Sequence, residues 1–422
     1  MTKQQDLRVT KRGHESHIRA LSLTSPAAAQ KELERIGVDP AGIIHMLPKL
    51  EQHALLVPQV RAAAANILKQ EMLSLGGDAA VARGTVACSV ASTDVLLIGT
   101  RKQLLTLCNK LAGQPFGLKA LASDLALVLK NVQCPPTIWQ TSRRQLSLER
   151  PLIMGVLNVT PDSFSDGGCY NSVAQAVERG LQLEAEGADL LDIGGESARP
   201  GAPQISAEEE RARVLPVVEA LANKLSIPIS IDTWKSSVAD ACLQAGAEIV
   251  NDISGLSFDP VLAQVAARHQ AGLVLMHTRG TPQEMQQNTV YDDLPGEVSS
   301  SLFRSANNAR AAGLSADRIA IDPGICFAKN LQGNLELLRR LPELTALGYP
   351  LLVGTSRKSF IGKVLQQENS SDRLFGTAAT VALAVAGGAR ILRVHDVAAM
   401  RDVALMAHAI TDLTPCSTES CL

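Results

Sequence analysis

The chain has 422 residues, 46% of them hydrophobic and 19% charged, with 42 acidic residues against 40 basic ones for a net charge of −2. This is the composition of an ordinary globular protein long enough for two domains. The balanced charge offers no electrostatic footing for nucleic acid or an anionic membrane surface as a partner. No apolar run reaches the roughly 18 residues that a membrane span needs. The opening Met1-Thr2-Lys3-Gln4-Gln5-Asp6 has no apolar stretch behind its charges, so it does not read as a secretion signal.

The eight cysteines are scattered and form neither a C-x-x-C pair nor a Cys/His zinc spacing, so reduced thiols in a cytoplasmic enzyme are expected.

Residues 1–135 read as a small α/β unit. Helices are predicted at Ala27–Ile36, Val60–Leu75, Lys102–Leu111 and Leu118–Leu129, with short strands at Val86–Val90 and Val95–Ile98. Gly99-Thr100-Arg101-Lys102 is a strand-to-helix turn that could hold an anion, although solvated charges on a plain turn account for it as well. The Pro135-Pro136 pair stops any helix. Residues 136–150, with the polar stretch Gln140-Thr141-Ser142-Arg143-Arg144-Gln145, read as a linker or as a hairpin at the bottom of the barrel that follows.

From residue 151 to 415 one pattern repeats: a short apolar strand, a polar loop, an amphipathic helix. Strands are predicted at Leu152–Val159, Leu190–Gly195, Pro228–Thr233, Ile249–Gly255, Gly272–Thr278, Ile319–Ile325, Leu351–Ser356 and Ile391–Asp396. Each is nearly continuous in apolar residues, as in a parallel sheet covered by helices. Helices are predicted at Val173–Gly187, Ala207–Leu225, Ser237–Ala245, Val261–Gln270, Gly296–Ala312 and Leu335–Leu347. Ser206 before three glutamates marks a helix start, and Gly-Ala pairs mark helix ends. Eight such units predict a (β/α)8 barrel, a fold of about 250 residues. Residues 416–422 are left as a tail.

Barrel enzymes carry their chemistry at the C-terminal ends of the strands, and here every strand ends in polar residues. The first leads into Asn158-Val159-Thr160-Pro161-Asp162-Ser163-Phe164-Ser165-Asp166-Gly167-Gly168, a loop with oxygen ligands for a hard cation. The second leads into Gly194-Gly195-Glu196-Ser197-Ala198-Arg199-Pro200-Gly201, where Arg199 can grip a phosphate. A single acid at a strand end is as readily a helix cap as a ligand, but eight polar ends in one mouth ask for more. Asp232, Asn251 and Asp322 can accept from a flat heterocycle rich in N–H donors, and Lys358 can donate to it. Arg199, Arg393 and His395, with a metal on Asn158, would neutralise a diphosphate. The residues therefore suit an amino-heterocycle that carries an anionic leaving group.

The segments Met154–Gly168 and Asp192–Ala202 resemble the two signatures of the dihydropteroate synthase family. Asp232-Thr233, Asn251–Gly255, Asp322-Pro323-Gly324, Ser356–Ser359 and Arg393–Asp396 fall in the family's order, so the likeness covers roughly residues 151–410. It implies an enzyme of folate synthesis in which 4-aminobenzoate displaces diphosphate from (7,8-dihydropterin-6-yl)methyl diphosphate. It implies pterin held by Asp232, Asn251, Asp322 and Lys358 beside Phe327, with Mg2+ as cofactor on Asn158. Asp232, Lys358 and the loop acid Asp166 would serve catalysis. Arg393, Val394, His395, Ala198 and Arg199 would bind the diphosphate side, and Ser359 the aminobenzoate carboxylate. Sulfonamides would compete with 4-aminobenzoate, and a homodimer is expected, with no nucleic-acid or membrane partner.

Three departures stand out. Ala198 replaces the family's usual Thr, Cys326 and Ala328 replace usual glycines, and residues 1–135 are an extension like that of some two-domain relatives. Two other readings share the barrel. A pterin-dependent methyltransferase would not need the Asn158–Gly168 or Ser356–Ser359 loops, and a non-catalytic folate-sensing relative would find support in Ala198 alone.

Overall fold

The computed structural model describes residues 18–23, 25–160, 169–197 and 201–411. The chain divides into two compact units, residues 1–126 and 127–422.

In the first unit, helix α1 (Pro26–Ile36) starts on the Ser25 hydroxyl, which accepts from the Ala28 amide at 3.1 Å. Helix α2 (Pro40–Leu50), strand β1 (Gln52–Arg61), helix α3 (Ala62–Ser74), and strands β2 (Asp78–Ala80) and β3 (Ser92–Thr100) follow. Helix α4 (Arg101–Leu111) starts with a capping box between Thr100 and Gln103, so the turn proposed for an anion is closed by its own side chains. The strands form an antiparallel sheet in the order β1-β3-β2. Leu68 and Met72 of α3, Val95 and Leu97 of β3, and Leu104, Leu107 and Leu111 of α4 are all buried.

The sequence reading is wrong at Val86–Val90, which is turn rather than strand, and it misses α2, β1 and β2. In β1 the cause is visible. Pro58 has no amide to donate, Gln59 takes a positive φ of 54°, and the register shifts between Val57 and Val60. A bulge of this kind destroys the alternation by which an edge strand is read.

Helix α5 (Leu118–Gln133) contains the division between the units. The second unit continues with a hairpin, β4 (Ile138–Gln140) and β5 (Gln145–Ser147). Cys134, just past α5, is disulfide-bonded, which corrects the expectation of reduced thiols throughout; Cys88, Cys108, Cys242 and Cys326 are free.

Eight parallel strands then form the barrel: β6 (Leu152–Asn158), β7 (Leu190–Gly194), β8 (Ile229–Asp232), β9 (Ile249–Asp252), β10 (Gly272–Met276), β11 (Ile319–Asp322), β12 (Leu352–Val353) and β13 (Ile391–Val394). Each pairs with its neighbour in sequence, β13 pairs with β6, and a bridge between Ile321 and Leu351 closes the ring. All eight predicted strands are present, each ending up to three residues before its predicted end.

The covering helices are α6 (Cys169–Ala185), α7 (Ala207–Ala222), α8 (Ser236–Ala245), α9 (Leu262–Arg268), α10 (Leu294–Ala311), α11 (Leu331–Arg339), α12 (Leu341–Thr345), α13 (Ser359–Leu365), α14 (Leu374–Ala386) and α15 (Val397–Thr411). Ser206 caps α7 by accepting from the Glu209 amide at 3.1 Å. The predicted helix Leu335–Leu347 is two helices, with Pro342 in the first turn of the second, where its missing amide costs nothing. Among the described residues, no helix is long and apolar enough to cross a membrane.

Two cores hold this unit. The larger lies between strands and helices. The smaller fills the N-terminal end of the barrel, where Trp139 of the hairpin packs on Leu152, Leu190, Ile249, Val274 and Ile391. With that end filled from below, the opposite end is left for a ligand.

Candidate active site

At the C-terminal end of the strands lies a cavity lined by Asp232, Asn251, Ile253, Met276, Asp322, Phe327, Gly354, Ser356, Lys358, Arg393 and His395. Seven of the residues singled out in the sequence (Asp232, Asn251, Asp322, Phe327, Lys358, Arg393 and His395) meet here.

The floor is ionic. The Arg393 Nε donates to Asp192 Oδ2 at 2.6 Å and its Nη2 to Asp232 Oδ2 at 2.7 Å. Asn251 Nδ2 donates to the same Asp192 oxygen at 3.0 Å. Burial pushes the Asp232 carboxyl up to about 7 against the pull of Arg393, and its neighbouring carboxylates hold the Arg393 guanidinium above its ordinary value in spite of burial. Asp322 is likewise raised by burial, against Lys358.

The loop after β11 makes one wall. Asp322 Oδ1 accepts from the Gly324 amide at 2.7 Å. Gly324 has φ +68°, and a Cβ there would come within 2.0 Å of the His277 carbonyl oxygen, so only glycine fits. Lys358 crosses from the next loop, donating to the Ile325 carbonyl at 2.7 Å with its ammonium 4.9 Å from the Phe327 ring centre. Behind the wall, Lys329 donates to the Phe327 carbonyl at 2.8 Å and lies 2.9 Å from His277 Nδ1. His277 thus stands behind the wall rather than in it, while Met276 does line the cavity.

Cys326 and Ala328, where glycines were expected from the family pattern, keep positive φ values of 70° and 52°. A side chain in that region costs about 1–2 kcal/mol, less the flexibility that glycine would add to the unfolded chain. Ala328→Gly relieves that strain but gives up a completely buried methyl of about 0.8 kcal/mol, so its stability is expected to stay within about 0.5 kcal/mol of the parent. Chemical denaturation measures this, and a loss above about 1 kcal/mol would contradict the strain.

His395 is held by Ser356: its backbone amide donates to Ser356 Oγ at 3.1 Å, and its Nδ1 lies 3.0 Å from the same oxygen. Burial and then Arg393 push its pKa down to about 4, so it is neutral near pH 7. Arg357 pairs with Asp396, its Nε 3.0 Å from Oδ2, and ties the last two strand-end loops together.

Not every strand-end residue serves the cavity. Asp252 accepts from the Ser254 amide and hydroxyl and the Leu256 amide, all within 2.8 Å, and so holds its own loop. The Val394 side chain packs in the core between strands and helices, because alternation along β13 turns it away when Arg393 points inward, so only its backbone could face a ligand. Ser359 begins α13 exposed and is not among the cavity-lining residues. Asn158 ends β6 outside the cavity lining, but a Cβ on Gly194 would lie 3.8 Å from its Oδ1 and 3.5 Å from Asp232 Oδ2, so two oxygen acceptors border one gap. Asp166, Ala198 and Arg199 lie outside the described residues. The second loop is anchored at both ends by Glu196, which takes the Lys235 ammonium at 2.8 Å and the Ile205 amide at 3.0 Å.

The sequence reading gave no role to Asp192, Ser356, Gly354 or Ile253. Asp192 had a signal, since it is the one charge inside the apolar strand β7 and a buried charge must be paired. Ser356 had one too, as a polar residue at the end of an apolar run, and Ile253 lies inside the Asn251–Gly255 motif; Gly354 had none.

A closed barrel with a buried acceptor floor and a lysine wall belongs to a class that binds flat heterocycles, and comparison with known proteins makes the class specific. The family described as pterin binding enzyme matches residues 154–395, more than half of the chain. Dihydropteroate synthase of Synechocystis sp. is 51% identical over 262 residues, 62% of this chain and 91% of that protein. A Xanthomonas albilineans dihydropteroate synthase solved in complex with 7,8-dihydropteroate superposes with a TM-score of 0.60 at 41% identity, over 65% of this chain and 99% of that one. The chain belongs to the dihydropteroate synthase family. A probable bifunctional folylpolyglutamate synthase/dihydropteroate synthase of Halobacterium salinarum is 42% identical over 369 residues, 87% of this chain and 44% of that protein. That stretch is longer than the whole barrel unit, so the likeness extends into residues 1–126.

Proposed function

We propose that this transferase joins 4-aminobenzoate to (7,8-dihydropterin-6-yl)methyl diphosphate, releasing diphosphate and 7,8-dihydropteroate. The observation that carries the reading is the convergence of Asp232, Asn251, Asp322 and Lys358 on one buried cavity. The three acceptors match the amino and ring N–H donors of a pterin, and the Lys358 ammonium supplies the donor for its carbonyl or ring nitrogen. Phe327 gives the heterocycle an apolar face.

The exocyclic carbon–oxygen bond breaks with its electron pair leaving on diphosphate. The cation left on carbon is conjugated with the pterin ring and faces the Asp232 carboxylate. The aniline nitrogen of 4-aminobenzoate attacks that carbon and then loses a proton. No enzyme nucleophile is needed, and Cys326 takes no part in the chemistry. Arg393 and the neutral His395 bind the diphosphate side, together with Arg199. The loop acid Asp166 assists closure, and the Ser359 region receives the benzoate carboxylate.

Mg2+ is the cofactor proposed, with Asn158 as its protein ligand, and when bound it would supply charge neutralisation for the leaving diphosphate. We further propose a cytoplasmic homodimer. Sulfonamides would compete, because they present an aniline nitrogen opposite an acidic group as 4-aminobenzoate does.

Purified protein given both substrates and Mg2+ should release diphosphate and form dihydropteroate in equal amounts. No product under these conditions would refute the reading. Because burial and Arg393 push the His395 pKa down to about 4, diphosphate binding should show no histidine step between about pH 5.5 and 8. His395→Gln, which keeps an N–H donor, should retain most of the affinity. A titration step near 6.5 that vanishes in His395→Gln would show that a cationic imidazole is needed.

A further inference from the structure

We propose that Asp192 sets the donor–acceptor polarity of the cavity floor, and so makes the site select a 2-amino pteridine over its 2-oxo counterpart. The inference rests on the pterin reading above and deepens it.

Asp192 is completely buried in the middle of β7. One of its oxygens, Oδ2, takes both the Asn251 amide nitrogen at 3.0 Å and the Arg393 Nε at 2.6 Å. Its Oδ1 has no hydrogen-bond partner among the described residues. An ionised carboxylate accepts and cannot donate. The Asn251 side chain must therefore turn its nitrogen to Asp192, and its oxygen is the atom left for the cavity that Asn251 lines. An asparagine free to turn over would present either atom. Asp192 removes that freedom, because the reversed amide would set oxygen against oxygen in a buried place.

The same residue acts on Arg393. With its Nε held by Asp192, the guanidinium is directed at Asp232 Oδ2, 2.7 Å away. One buried carboxylate thus fixes the orientation of two cavity residues. The floor that results offers oxygen acceptors from Asn251, Asp232 and Asp322. An amino group on the ligand finds partners there; a carbonyl in its place meets lone pairs. Asp192 itself is not a cavity-lining residue, so it is a positioning residue.

The test measures dissociation constants for pterin and for lumazine, its 2-oxo analogue, by calorimetry. Wild-type protein should prefer pterin. In Asp192→Asn the Asn251 amide can turn over, and the preference should fall by about tenfold or more. The double exchange Asp192→Asn with Asn251→Asp restores a donor facing an acceptor and should bring the preference back. Equal weakening of both ligands in the single variant, or no recovery in the double one, overturns the proposal by reducing Asp192 to a structural role. Should Asp192→Asn not fold, Asn251→Leu serves: it should bind pterin with less preference over lumazine, and an unchanged ratio also overturns the proposal. A wild-type protein that binds no pterin overturns the proposed function, and this inference with it. A wild-type protein that binds pterin and lumazine alike overturns the inference alone.

Discussion

Lys358→Ala is expected to weaken pterin binding by on the order of 10- to 100-fold and to lower kcat/KM for the pterin substrate by more. The ammonium is held at 2.7 Å by the Ile325 carbonyl and sits 4.9 Å from the Phe327 ring centre. Burial pulls its pKa below the ordinary lysine value, with Cys326 and Asp322 opposing. A charge-assisted hydrogen bond contributes about 1.5–3 kcal/mol, which sets the expected loss of affinity. Two further losses fall on turnover. Asp322 forfeits its largest opposing charge, so its carboxyl moves further toward the neutral form and becomes a poorer acceptor. The loop from Gly324 to Phe327 loses its tie to the neighbouring strand end, and with it the placement of the ring face.

Asp322→Ala should weaken pterin binding to a similar degree through the opposite partner. The check is calorimetry with pterin beside steady-state kinetics, with thermal melting to show that each variant is folded. Unchanged pterin affinity in both variants would rule out this cavity as the pterin site.

The barrel could be read from the sequence because its signal is repeated. Eight apolar runs, each followed by an amphipathic helix, leave few alternative architectures. The errors in its boundaries fall where strand passes into loop, as at Ile253–Gly255 and Thr355–Ser356, since residues past the last paired position stay apolar or small while the chain leaves the sheet. The site could be read in part for the same reason: a polar residue at the end of an apolar run stands out. Asp232, Asn251, Asp322 and Arg393 were found in this way. Asp252 shows where the rule fails, because an acid in the same position spends both oxygens on its own loop. Val394 shows a second limit of the rule, since a motif names residues without saying which way each side chain points. The N-terminal unit was the least legible. Its three strands form one small sheet with an interrupted edge, and no repeat averages out the ambiguity of short apolar runs.

Trp139→Ala should be the most damaging single substitution outside the site, lowering stability by about 3–5 kcal/mol. The indole is completely buried, and its N–H donates to the Arg318 carbonyl at 3.0 Å. It shares one buried cluster with residues of seven barrel strands, Leu152, Leu190, Ile249, Val274, Ala320, Leu352 and Ile391 among them. Alanine would leave a cavity that seven separate strands would have to close together, and a closed barrel cannot contract at one end without breaking strand pairs. Relaxation is therefore small and the cost lies toward the upper end of the range. For a domain of this size the melting temperature should drop by on the order of 10 °C. Trp139→Phe keeps most of the volume and loses only the hydrogen bond, so it should cost nearer 1 kcal/mol. The hairpin has a second anchor, the Thr141 hydroxyl on the buried Glu248 carboxylate at 2.6 Å, so β4 and β5 should stay docked in the phenylalanine variant. The ligand cavity lies at the other end of the strands. At temperatures where both variants remain folded, kcat/KM should be within about twofold of the wild type, since the two ends share no partners. A large loss of activity without a loss of stability would mean that the barrel bottom controls the geometry of the site, against the separation of the two ends described above.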